Sequence, residues 1–205
     1  MELVVATKNK KKLREIKDLL KGSDIAVTSI EQYPHAPRII ENGKTFKANA
    51  ITKALVIARY TKKLALGEDS GLCVDSLGGK PGIYSARFAG PGKSDEKNNA
   101  KLLRLLKNVP VGKRKAGYVC AVAVADARGL IGVVEGTCRG YIGFEPRGTT
   151  GFGYDPLFVS PKYKKTFAEL GEAVKHTLSH RFRALLKAKK LIRKGVEWQT
   201  ARRYA

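Results

Sequence analysis

The stretch Leu3-Val4-Val5-Ala6-Thr7-Lys8-Asn9-Lys10-Lys11-Lys12-Leu13 joins an apolar, β-branched run to a polar turn, after which Ile16, Leu19 and Leu20 continue from Leu13 at helical spacing until Gly22. That pattern predicts strand, short loop, helix. Further along, Ile25 to Ile30 alternates like a strand, and Phe46, Ala50, Ala54, Ile57 and Ala58 fall on one face of a helix beginning near Thr45, which predicts a second βα unit. Leu64–Leu66 and Leu72–Val74 are expected to be buried strand pieces interrupted by Gly67-Glu68-Asp69-Ser70-Gly71, an acidic insertion that a core does not tolerate without partners.

Ser94, followed by Asp95 and Glu96, suits a helix start; Leu102, Leu103, Leu105 and Leu106 supply its apolar face and Pro110 marks its expected end. Tyr118–Ala125 and Leu130–Cys138 flank Asp126-Ala127-Arg128-Gly129, a hairpin signal. Ser179 is expected to cap a last helix with Phe182, Leu185, Leu186 and Ile192 on one side and Lys187, Lys189, Lys190, Arg193 and Lys194 on the other. The expected fold is α/β: an elongated mixed β-sheet with flanking helices, forming two lobes around a central cleft within one domain over 1–205, with a basic helix or tail from about 187 to 205.

Composition narrows the function. The 43% hydrophobic and 28% charged fractions of the 205 residues are those of a soluble globular protein, and the longest apolar run is too short to cross a bilayer, so no membrane partner is expected. The opening residues read as a first strand without a secretory signal, which suggests a cytoplasmic setting. Three widely spaced cysteines, Cys73, Cys120 and Cys138, fit neither a disulfide framework nor a metal knuckle. With 40 Lys and Arg against 18 Asp and Glu, the net charge of +22 attracts polyanions, whether nucleic acid, a membrane surface or phosphorylated small molecules.

Several segments could carry chemistry. Thr7, Lys8, Asn9, Lys10, Lys11 and Lys12 lie where a strand turns into a helix, a place for phosphate as well as for an ordinary solvated helix start. Gly43-Lys44-Thr45 is not a P-loop, because Arg38 stands where the loop needs glycine, and Gly151-Phe152-Gly153 lacks the third glycine of a dinucleotide fingerprint. Glu41, Glu68 and Asp69 could hold Mg²⁺ with phosphate oxygens, or could simply pair with the abundant bases. Phe152, Gly153, Tyr154 and Asp155 could stack on a base and accept its N–H groups, or form a tight turn into a strand. Lys175, His180 and Arg181 surround the expected start of the last helix, a position suited to an anion or a carbonyl.

Taken in order, Ala6-Thr7-Lys8-Asn9 with Lys12, Glu41-Asn42-Gly43-Lys44-Thr45-Phe46 through Asn49-Ala50, Glu68-Asp69-Ser70-Gly71-Leu72, Pro81-Gly82-Ile83-Tyr84-Ser85-Ala86-Arg87, Gly151-Phe152-Gly153-Tyr154-Asp155-Pro156 and Ser179-His180-Arg181 resemble the inosine triphosphate pyrophosphatase family. The resemblance runs from residue 3 to about Leu186. It implies Mg²⁺-dependent hydrolysis of ITP, dITP and XTP to the monophosphate and pyrophosphate, in a homodimer with an elongated two-lobed α/β fold around a nucleotide-binding cleft. It further implies Asp69 as proton acceptor and Glu41, Asp69 and Glu68 as metal ligands. Thr7 to Lys12 and Ser70 would lie around the phosphates, while Phe152, Gly153, Tyr154, Asp155, Lys175, His180 and Arg181 would form the base pocket. Lys53 joins the phosphate group from its expected place on the second helix.

Two positions depart from the family pattern: Lys8 stands where many relatives have glycine, and Glu68-Asp69 where many have two aspartates. The competing readings are a nucleic-acid-binding protein that uses the basic surface and a hydrolase of another modified nucleotide. No nucleic-acid module appears in the sequence, so nucleic acid is not expected as a partner, although the charge does not exclude it.

Overall fold

The computed structural model describes residues 2–201; Met1 and the end of the expected basic tail, 202–205, lie outside the described residues. Its strands are β1 (Glu2–Val5), β2 (Ala26–Ser29), β3 (Leu64–Val74), β4 (Lys115–Asp126), β5 (Gly129–Ile142), β6 (Phe158–Ser160) and β7 (Lys165–Thr166), and its α-helices are α1 (Lys10–Leu20), α2 (Phe46–Thr61), α3 (Asp95–Leu105), α4 (Phe167–Leu178) and α5 (His180–Ala201). The strands make one seven-stranded sheet in the order β2-β1-β3-β4-β5-β6-β7. β1 runs parallel to both β2 and β3, whereas β6 is antiparallel to β5 and β7, so the fold is mixed α/β as expected.

Local signals set most helix starts. Asn9 accepts from the amides of Lys11 and Lys12, Thr45 from Ala48 and Ser94 from Lys97, so each polar side chain satisfies amides that a helix start leaves open. Four expectations are corrected. The acidic segment does not interrupt a strand: β3 continues through it, because Glu68 and Asp69 find buried partners. α3 stops at Leu105, where the Leu106 amide bonds back to the carbonyls of Leu102 and Leu103, well before Pro110. Leu186 is exposed, and Ala184 and Ala188 complete the buried face of α5 with Leu185 and Ile192. Residues 167–178 form a helical segment that the sequence reading leaves out, opened by a capping box in which Thr166 and Glu169 bond each other's backbone and kinked at Gly171, whose φ of +77° is not helical.

The chain divides into two compact units. The first takes residues up to Asp69, Cys120–Gly136 and the chain from Arg181; its core joins Leu3, Val5, Ile16, Leu64, Leu66, Val122, Val124, Leu185 and Ile192. Within it α2 lies almost in contact with β3. A Cβ on Gly67 would collide with the Ala50 carbonyl and sit 2.5 Å from the Ala54 nitrogen. Only glycine allows that approach, which sets Asn49 and Lys53 of α2 beside the acids of β3.

The second unit takes Ser70–Val119 and Thr137–His180. Its core packs Leu72, Leu102, Leu106, Ile142, Leu157, Phe158 and Phe167 around Tyr118 and Tyr154.

Candidate active site

In the first unit the acids of β3 are buried, Glu68 to 4% and Asp69 to 8% exposure. Asp69 Oδ2 accepts from Asn49 Nδ2 at 3.0 Å and Oδ1 from Lys53 Nζ at 3.1 Å, both donors lying one helical turn apart on α2. The same ammonium reaches Glu41 Oε2 at 2.7 Å and the Glu68 carbonyl at 3.2 Å. One lysine is therefore shared by two carboxylates.

Burial pushes the Asp69 carboxyl above its ordinary value, and Lys53 and Asn49 only partly offset this. For Lys53 burial acts in the opposite direction, but the charges of Asp69 and Glu41 outweigh it and hold the ammonium above the ordinary lysine range. The lysine stays charged while the aspartate is made a better proton acceptor.

Glu68 has other partners. Its Oε1 accepts from Arg181 Nε and Nη2, each at 3.3 Å, and from the Cys120 thiol at 3.4 Å, while Lys12 Nζ lies 3.3 Å from Oε2. Arg181 also pairs with Glu15 of α1. Burial opposes the charge on that guanidinium, yet Glu68 and Glu15 raise its pKa well above the ordinary value. Burial, with Glu68 next in effect, pushes the Cys120 thiol up, so it stands here as a protonated donor. Arg181, expected beside the base, is thus tied into the acid cluster by Glu68 and Glu15.

The start of α1 has the form of a capped helix start, one of its two expected readings. The amides of Lys11 and Lys12 are taken by Asn9 Oδ1, and Thr7 Oγ1 accepts from the Asn9 amide at 3.1 Å. Asn9 is a cap, with Lys8, Lys10 and Lys11 exposed around it and Lys12 turned inward to Glu68. Ser70 follows Asp69 along β3 and is half-buried.

Among the described residues no group of three or more acids, histidines or cysteines is arranged to hold a metal, so the expected trio of Glu41, Glu68 and Asp69 is not assembled. Glu41 and Asp69 are the hard oxygen donors that Mg²⁺ takes, one or two at a time, alongside phosphate, but here they converge on Lys53 Nζ, so an ion held by them would share them with that ammonium. Ion pairs of this cluster join Glu15, Glu41, Glu68 and Asp69 to Lys12, Lys53 and Arg181.

The second unit brings together most of the residues expected for the base. Asp155 is 2% exposed; its Oδ2 accepts from Lys175 Nζ at 2.6 Å and from the Phe152 amide at 2.8 Å. Lys175 Nζ lies 4.3 Å from the centroid of the Phe152 ring. Tyr118 OH is 3.5 Å from Asp155 Oδ1, and the His180 ring stacks on Tyr118 with centroids 4.6 Å apart. Burial and the nearby Asp155 charge push the Tyr118 phenol well up, so it remains a donor.

Tyr154, expected to read the base, is instead buried with its hydroxyl on the Ser85 carbonyl at 2.8 Å, which makes it a strut of the turn. Ser179 stands in extended conformation at the joint between α4 and α5.

Asn49, Glu15 and Tyr118 are given no role by the sequence reading. Asn49 could have been found from its spacing, four positions before Lys53 on the same helix face. Glu15 and Tyr118 carried no local signal, since their partners lie far away in the chain.

A buried aspartate raised above its ordinary value, sharing a lysine with a second carboxylate, marks the class as an enzyme with a group fit for proton transfer. Comparison with known proteins makes this particular. The family model described as Ham1 family matches residues 3–191. A dITP/XTP pyrophosphatase of Desulforamulus reducens is 51% identical over 192 residues, covering 94% of this chain and 96% of that protein, and one of Geobacillus kaustophilus is 48% identical over 91% of each. Among solved structures, the Staphylococcus aureus Ham1 protein aligns with a TM-score of 0.85 at 37% identity over 95% of this chain and 99% of its own, and a HAM1 protein from Coxiella burnetii with 0.86 at 35% over the same shares. The chain belongs to the Ham1 family.

Proposed function

We propose that this protein hydrolyses non-canonical purine nucleoside triphosphates, dITP, ITP and XTP, to the monophosphate and pyrophosphate. Family membership and relatives named dITP/XTP pyrophosphatase support the reaction class. The observation that carries the mechanism is the buried Asp69, raised as a base and held between Asn49 and Lys53.

In this reading Asp69 takes a proton from water as the water oxygen bonds to the α-phosphorus. The bond from that phosphorus to the bridging oxygen breaks, and pyrophosphate departs with the electron pair. Glu41 and Asp69 supply oxygen donors for Mg²⁺, whose charge would offset that of the phosphate oxygens. Lys53 and Lys12 bring further positive charge, the main requirement of phosphoryl chemistry. Glu68 is the counter-ion that turns Lys12 and Arg181 inward.

Phe152 offers a ring face to the base. Lys175, Asp155 and His180 form the polar frame around it, and donors that suit a 6-oxo purine are left unpaired by the amino group of adenine. The family resemblance also supports a homodimer and a cytoplasmic setting. No helix of the described residues is long and apolar enough to cross a membrane.

The test is pyrophosphate release from XTP, dITP, GTP and ATP with and without Mg²⁺, beside light scattering for the dimer. Metal-dependent release from XTP and dITP, slow on GTP and ATP, is the expected result; well-folded protein without turnover would overturn the assignment.

A further inference from the structure

Helix α3 carries two polar side chains that the reaction as drawn does not use. Asp95 Oδ2 accepts from the Gly153 amide at 2.7 Å, and Asn99 Nδ2 donates to the Gly153 carbonyl at 3.0 Å. Four positions apart, they share one face of the helix, and between them they hold both peptide groups of a single residue. Gly153, at φ +64°, has a backbone conformation that favours glycine, and with no side chain its place is held through the N–H and C=O that α3 engages.

Its neighbours are the residues that matter. Phe152 precedes it, with its amide on Asp155, and Tyr154 follows, with its hydroxyl on Ser85. The same helix fastens the segment beyond Ser85. Asn98 accepts from the Ala89 amide at 2.7 Å and donates to the Ala86 carbonyl at 3.2 Å, and Lys101 donates to the Phe88 carbonyl at 2.5 Å. The aromatic turn is thus held by α3 at Gly153, and through Ser85 at Tyr154.

This arrangement carries a cost. Asn99 Oδ1 is buried and has no hydrogen-bond partner among the described residues, an outcome that selection for stability alone would not favour. What the amide does achieve is its bond to Gly153.

We propose that Asp95 and Asn99 are positioning residues of the base subsite: they clamp the Gly153 peptide so that the Phe152 ring and the Asp155 carboxylate keep the orientation in which they receive the purine. The proposal rests on the reading of Phe152 and Asp155 given above.

The test measures KM and kcat for XTP, kcat/KM for XTP against ATP, and inhibition by pyrophosphate, which has no base. Asp95→Ala is expected to raise KM for XTP about fivefold, the scale of one lost hydrogen bond, and to narrow the XTP preference similarly, with kcat and pyrophosphate inhibition unchanged. Asn99→Ala is expected to move KM and the preference in the same direction. Asp95→Asn keeps an acceptor and should retain the wild-type KM. Glu96→Ala, in the same helical turn, should behave as wild type.

Phe152→Ala is the reference. If it raises KM and Asp95→Ala does not, the clamp is refuted and the subsite reading stands. If neither moves KM, the subsite reading fails and the clamp with it. If Asp95→Ala weakens pyrophosphate as much as XTP, the residue acts on the whole fold and the positioning role is overturned.

Discussion

Asp69 and Asp155 are both buried aspartates bonded to a lysine, and they are built for opposite tasks. Asp155 has Lys175 at 2.6 Å, with a backbone amide on the same oxygen, which fixes it as an acceptor. Asp69 shares Lys53 with Glu41, and its share does not make up for burial, so its carboxyl rises above the ordinary range. A shared ammonium that does not make up for burial leaves Asp69 a base.

The largest effect that would break this contrast is on turnover. Asp69→Asn should lower kcat for XTP about a thousandfold, the scale of a lost general base, whereas Asp155→Asn should act mainly on KM. The asparagine at 69 should not lower the melting temperature, because it removes a charge that burial disfavours. A melting temperature that falls with activity would make Asp69 a structural acid and end the distinction.

Next in size is the spacing that creates the shared lysine. Gly67→Ala drives a methyl into the backbone of α2 and should cost about 3 kcal/mol, seen as a fall in denaturant midpoint together with lost activity. Lys175→Met, which strips a buried carboxylate of its cation, should destabilise by about 3–5 kcal/mol, although the Phe152 amide remains on Asp155.

A pH series sharpens the comparison. The folded pKa of Asp69 is raised, so its favourable contribution to stability is present below the unfolded value and is lost as pH rises through the folded one. In metal-free protein the stability of Asp69→Asn relative to the parent should therefore grow from acid toward neutral pH, read from urea midpoints. The raised Lys53 works at the other end: its contribution is complete below the unfolded lysine value and fades only as pH climbs through the folded one. Smallest of all, Lys47→Ala removes an ion pair with Glu135 that is half open to solvent and should change stability by less than about 0.5 kcal/mol in urea unfolding.

Much of this was legible in the sequence where the physics is local. Asn9, Thr45 and Ser94 stand at real helix starts, and Asp126 closes the β4–β5 turn by accepting from the amides of Arg128 and Gly129. The acids Glu41, Glu68 and Asp69 and the turn from Phe152 to Asp155 were singled out from residue type and position; the structure joins Glu41 and Asp69 through Lys53, gives Glu68 to Lys12 and Arg181, and brings Phe152 and Asp155 to Lys175.

What escaped was set by distant partners. An acidic pentapeptide looks like a break in a strand unless the cations that neutralise it are known, and those come from α1, α2 and α5. Arg181 looks like a base reader until Glu15 and Glu68 are placed around it. Tyr154 looks like a stacking ring until Ser85 takes its hydroxyl. α4 is the exception, since Thr166 and Glu169 carried a capping box that could have announced it.

The position of β3 bears on how the molecule breathes. It is third in a sheet of seven, between β1 and β4, and most of its residues are buried. Amides in such a strand exchange with solvent only when the cooperative structure around them opens. The chain around Asp69 is therefore among the last parts to fluctuate, and the motions that admit a substrate and release its products have to arise in segments that exchange faster than the strand bearing the acid.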